Sequence, residues 1–127
     1  MNEKTIDNWV KLSEYDFETA GAMLKAGRYL YVVFTCRQAV EKLLKAIYVQ
    51  VKNSTPPYTH NLIKLAEECN LINQIDIKTI AELNSCYIKT RYSEELEKLS
   101  AAITRERTEV IYRKTEELIQ WLKKEIR

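Results

Sequence analysis

The sequence predicts an all-α protein of four or five helices, and three observations carry that expectation. The 127 residues include only two glycines and two prolines, far too few for the tight turns of a β-sandwich. Apolar residues recur at three- and four-residue spacings, the repeat of a helix face. No stretch keeps the alternation of a strand, and no internal repeat is present. At this length one domain is expected, spanning residues 1–127 and large enough to bury a core without staples.

The elements follow in order. Residues 5–26 read as an amphipathic helix through Ile6, Trp9, Val10, Phe17, Ala20 and Leu24, with Gly27 as its C-terminal stop. A second helix runs from about Arg28 to Lys52. Its Tyr29, Val32, Val33, Cys36, Ala39, Val40, Leu43, Leu44, Ala46, Ile47 and Val51 fill an arc of roughly 160°, which predicts packing on two sides. The opposite side carries Arg37, Gln38, Glu41, Lys42 and Lys45, interrupted by Phe34 and Tyr48. Consecutive prolines make 53–58 a loop. Thr59 is then placed to cap a short helix over 60–69, with Leu62, Ile63, Leu65 and Ala66 inward. A fourth helix after Asp76 presents Ile77, Ile80, Leu83 and Tyr87. Residues 89–99 are weakly periodic and read as a connection with frayed helix. The last helix spans about 100–126, with Ile103, Val110, Ile111, Leu118, Trp121 and Leu122 as its apolar stripe.

Composition excludes several functions. Without clustered glycines no Rossmann fingerprint, Walker A loop or Gly-Ser nucleotidyltransferase loop exists. The net charge of +2 is evenly spread, so no basic arm points to DNA. Cys36, Cys69 and Cys86 are odd in number with no close pair, which suits reduced, buried thiols better than a zinc site or a disulfide framework. The start lacks the apolar core of a signal peptide and no apolar run is long enough to span a membrane. A soluble, cytoplasmic protein is expected.

The residues able to carry chemistry are few. His60 is the single histidine. At a helix start, where the dipole disfavours a cationic imidazole, it would serve as a base or a hydrogen-bond partner, or simply bond to the loop backbone. Arg37, Glu41 and Lys45 form an i, i+4 ladder. This is either a solvated salt-bridge face or a polar groove in which Arg37 or Lys45 grips phosphate while Glu41 orients it. The second helix carries five positive charges against one negative over 28–52, which favours an anionic ligand. Arg91 and Tyr92 would grip phosphate and stack on a base, or be a surface Arg beside a core Tyr. Asp16 is placed to pair with a basic residue of the second helix.

Taken together, these residues form an ordered pattern. Trp9 and Asp16 come first, then Gln38, Ala39, Glu41, Lys42, Lys45 and Ala46, then Thr59, His60 and Leu62, then Arg91 and Tyr92. The pattern resembles the HEPN family (higher eukaryotes and prokaryotes nucleotide-binding) over nearly the whole chain. The resemblance implies an up-and-down bundle similar to the C-terminal domain of kanamycin nucleotidyltransferase, usually a homodimer. It implies pairing with a minimal nucleotidyltransferase in a toxin–antitoxin-like system. The family's RNases use Arg followed four to six residues later by His. Here 22 residues separate Arg37 from His60, so that site is absent.

The expected function is therefore a non-catalytic module that binds a nucleotide, with or without Mg, or presents a partner with its substrate. The chain itself would need no metal or cofactor. Its ligand residues would be Arg37, Glu41, Lys45, His60, Arg91 and Tyr92, and Phe34 and Tyr48 are the candidate dimer contacts. The alternative is an RNase toxin with a divergent site built from His60 and Arg91.

Overall fold

The computed structural model describes residues 2–85 and 93–127, with the backbone alone for 93–96 and 99. Cys86, Tyr87, Arg91 and Tyr92 thus lie outside the described residues. Those described form six helices and no strand: α1 (Asn2–Lys25), α2 (Tyr29–Lys52), α3 (Leu62–Glu68), α4 (Ile77–Ser85), α5 (Ser93–Ala102) and α6 (Arg105–Lys124). None of them is long and apolar enough to cross a membrane.

Helix α1 ends as its sequence requires. Gly27 sits at φ 75°, a left-handed conformation that costs an L side chain energy and glycine almost nothing. Its N–H donates to Leu24 C=O at 3.2 Å, and Arg28 N–H to Met23 C=O at 2.8 Å. These are the two closing bonds of a Schellman motif, and they turn the chain back so that α2 packs along α1. Ser13 secures the pair by donating from Oγ to the carbonyl of Ala39 at 2.6 Å.

Helix α2 is the axis of the fold. Thirteen of its 24 residues are buried, and it touches each of the other five helices. The predicted two-sided packing is thus present, with two changes at its C-terminal end. Val51 is 46% exposed and Val49 is buried instead, while Gln50 between them bonds the C-terminal residues Glu125 and Arg127. Phe34 and Tyr48 are half-buried. Tyr48 packs on the core, and Phe34 meets Tyr31 edge to face with ring centroids 6.1 Å apart.

Boundaries beyond α2 differ from the sequence expectation, each for a local reason. Asn61, not Thr59, caps α3: its Oδ1 accepts from Ile63 N–H at 3.1 Å and Lys64 N–H at 3.2 Å. Asn is the better cap, and Thr59 is left to accept from Asn61 N–H, so α3 starts at 62 rather than 60. Asn70, at φ 61°, closes α3 with a second pair of Schellman bonds. Asp76 precedes α4 as expected and accepts from Thr79 Oγ1 at 2.8 Å.

The weakly periodic connection proves to contain a distinct helix, α5, and the last helix starts at 105, not near 100. Thr104 separates the two in an extended conformation and accepts from Arg107 N–H at 3.2 Å. This restart sets the phase of α6, which turns Thr108, Ile111, Thr115, Leu118 and Leu122 inward and leaves Val110 39% exposed. The two threonines are tolerated inside because each hydroxyl donates to a carbonyl one turn back. Tyr112 of α6 stacks on Phe17 of α1 at 4.8 Å and reaches over Gly21, where an added Cβ would lie 3.1 Å from its hydroxyl.

The cap assignment predicts two different outcomes from neighbouring substitutions. Asn61→Ala should lower stability by about 1 kcal/mol in urea denaturation. Thr59→Ala should lower it by no more than about half as much, since it removes a single exposed turn bond.

Candidate functional site

The i, i+4 ladder on α2 is not a solvated face. Arg37, Glu41 and Lys45 are only 3%, 7% and 8% exposed. Elements from both sides close over them. Trp9 of α1 lies under Lys45, with the ammonium 5.7 Å from the ring centroid, within cation–π range. On the other side the loop leaving α2 carries His60 back to the middle of the helix.

That loop is held at several points. Pro57 C=O accepts from Thr59 N–H at 2.9 Å. Asn84 of α4 accepts from Leu62 N–H at 2.8 Å through Oδ1 and donates through Nδ2 to the Asn61 side chain at 3.3 Å. Arg37 Nη2 donates to the backbone carbonyl of His60. The last bond ties the loop directly to the ladder.

Glu41 is the hub. Its Oε1 accepts from Arg37 Nη1 at 2.9 Å and its Oε2 from Lys45 Nζ at 3.1 Å. The Nδ1 of His60 lies 3.1 and 3.2 Å from the same two oxygens. Burial alone would raise the Glu41 carboxyl. Hydrogen bonds from His60, Lys45 and Arg37, with the charge of Lys45, outweigh it and hold the group below its ordinary range. An ionised carboxylate only accepts, so Nδ1 must carry a proton and donate it. The imidazole side chain is 55% exposed.

The sequence-predicted site is therefore assembled in part. Arg37, Glu41, Lys45 and His60 come together around one carboxylate. Arg91 and Tyr92 lie outside the described residues, so their place is not part of this geometry. Asp16 does pair with a basic residue of α2, the ammonium of Lys42, the residue that follows Glu41. Sequence reasoning missed the contact of Trp9 with Lys45 and the brace of Asn61 and Asn84. The stronger capping preference of Asn over Thr was a usable signal for the brace. The contact across helices had no signal in a single chain.

Other chemistry is limited. Among the described residues no group of three or more His, Cys, Asp and Glu side chains could hold a metal ion. Cys36 and Cys69 are free and buried, and burial pushes both thiols up to about 12, far from the thiolate a nucleophile needs. What the cluster presents is two cationic groups held on one carboxylate beside a half-exposed imidazole.

The hub makes a pH-dependent contribution to stability whose sign is fixed. A carboxyl held low in the folded state stabilises above its unfolded value, ~4.3 for glutamate, and loses that contribution as pH falls through its folded value. Glu41→Gln should therefore cost about 3–5 kcal/mol at neutral pH, the usual penalty for breaking a buried ion pair. The gap from wild type should narrow in denaturation curves taken below ~4.

Comparison with known proteins agrees with the fold. A search of the curated proteins finds no match. Among solved structures, the crystal structure of TT1696 from Thermus thermophilus superposes with a TM-score of 0.75 at 19% identity, over 99% of this chain and 100% of that one. At that identity the likeness concerns the fold alone. The family model described as HEPN domain matches residues 6–126, which takes in every residue of the cluster. The chain belongs to the HEPN family.

Proposed function

We propose that this chain is a nucleotide- or RNA-phosphate-binding module that works beside a separate, minimal nucleotidyltransferase, in a toxin–antitoxin-like pair. The observation that carries the reading is the placement of two buried cations, Arg37 and Lys45, on one carboxylate beside a half-exposed histidine. Buried charges are expensive unless their geometry serves them, and an apolar ladder of the same volume would hold the bundle at least as well. The arrangement instead presents what a phosphate needs. Lys45 uses one N–H on Glu41 and has donor capacity left for an anion. Arg37 holds the loop that places His60, and Glu41 keeps all three oriented. In this reading Arg91 and Tyr92 would complete the grip on phosphate and base, and Mg would enter only with a triphosphate. The family resemblance supports the nucleotidyltransferase partner and a homodimer through the outer face of α2 around Phe34, which light scattering reads directly.

Thermal-shift titration against nucleoside mono- and triphosphates, with and without Mg, tests the module. A ligand at ~100 times its Kd adds about 2.7 kcal/mol, a rise on the order of 10 °C in a domain of this size. The expected rise shrinks in Lys45→Ala. A flat panel, together with no capture of a nucleotidyltransferase encoded beside it, would end this reading.

One observation favours a second reading, an RNase with a divergent site using His60 and Arg91. Because Nδ1 donates to Glu41, the other ring nitrogen of a neutral His60 is a base, oriented by a carboxylate as general bases commonly are. Metal-independent cleavage of RNA that falls at least ~100-fold in His60→Ala would support it. Cleavage undiminished by that change would remove it.

A further inference from the structure

A second concave site lies away from the cluster and shares no residue with it. It is a cleft of about 350 Å³ between α6 and the segment joining α3 to α4, lined by Gln74, Ile75, Asp76, Lys114, Glu117, Leu118 and Trp121. That volume is at the small end of the range for small-molecule sites. Its floor is apolar, since Ile75 and Leu118 are buried core residues. One wall is the indole of Trp121, half-buried. Glu117 and Trp121 are four apart on α6, so the carboxylate stands beside the ring on the same helix face.

The charges in the cleft are not equivalent. Asp76 is occupied at both oxygens by the Thr79 hydroxyl and backbone N–H, and Lys114 is near enough to act on its charge. Glu117 makes no ion pair among the described residues. The cleft thus holds two carboxylates and one ammonium, a net negative site, with the uncommitted carboxylate on the same helix face as the half-buried Trp121. A phosphate or carboxylate ligand would meet the wrong sign. A compact ammonium would satisfy Glu117 but leave the indole face uncovered. A planar cation satisfies both, stacking on the ring while its N–H fork meets the carboxylate.

We propose that this cleft binds a small guanidinium compound, its planar cation stacked on Trp121 and paired with Glu117 and its alkyl chain over Leu118 and Ile75. Gln74 would accept the remaining donors at the rim. The site is independent of the phosphate-binding reading of the cluster, so either can fail without the other.

The protein's two tryptophans provide the assay and its control. Titration of the ¹⁵N-labelled chain with N-butylguanidine, at constant ionic strength, is followed at the two indole N–H signals, assigned with Trp121→Phe. The expected result is a saturable shift of the Trp121 signal in the millimolar range with the Trp9 signal still. Glu117→Gln, a change on an exposed helix face, should weaken binding about ten-fold or more. Lys114→Gln, which removes the competing cation, should tighten it. Butylamine, with an ammonium on a chain of the same length, should bind more weakly. A shift that never saturates, one undiminished in Glu117→Gln, or equal binding of butylamine would overturn the proposal.

Discussion

The carboxylate of Glu41 decides where three other groups can be. Arg37 and Lys45 lie one turn to either side on the same helix and both reach it. His60 comes from 19 residues away and reaches it too. Without that acceptor, two cations on α2 would repel each other in a crevice with little water, and the His60 imidazole would lose its bond to the helix. Because Arg37 also donates to the His60 carbonyl, backbone and side chain of that residue are each fixed by a different member of the ladder. The position of a half-exposed imidazole is thereby set by buried bonds rather than by its own packing.

Such a hub is a poor way to gain stability and a good way to gain definition. The apolar core of α2, with Val33, Leu43, Leu44 and Ile47 buried, would hold the bundle as well with well-packed apolar residues at 37, 41 and 45. A charged ladder adds desolvation cost that its own attraction only roughly offsets. What it adds is one arrangement of the loop, backed by the Asn61–Asn84 brace and by Trp9 beneath Lys45. The site is thus supported by α1 and α4 as well as by the helix that carries its charges.

The fold was largely legible because a helix face announces itself locally. The spacing of Val32, Cys36, Ala39 and Leu43 and the stop at Gly27 are properties of adjacent residues, and both can be read from the chain alone. What escaped was of two kinds. At 59–61 and at 104 the competition between neighbouring caps was decided by details of one turn, and the choice of Thr104 then shifted the phase that exposes Val110. For the site, the ladder was visible but its burial was not. Spacing shows that Arg37, Glu41 and Lys45 share a face, and only tertiary packing shows that Trp9 and His60 cover it. The ordered pattern from Trp9 to His60 grouped His60 with the ladder, but it gave no sign that Trp9 lies against Lys45.

The geometry also separates two roles that the sequence left merged at His60. An imidazole whose Nδ1 donates to an ionised carboxylate has its tautomer chosen for it, and its second nitrogen is left as acceptor when neutral and donor when charged. Charging it would place a third positive group on Glu41, alongside Arg37 and Lys45. One carboxylate then faces three cations, and an anion arriving at the exposed edge of the ring would complete the balance. An anion held at that edge would meet the second ring nitrogen, the one not engaged by Glu41. A binding module and an acid–base site are thus not opposed designs here. The same carboxylate that orients the two cations also orients the imidazole, and whether the group is used for chemistry depends on what is attached to the phosphate.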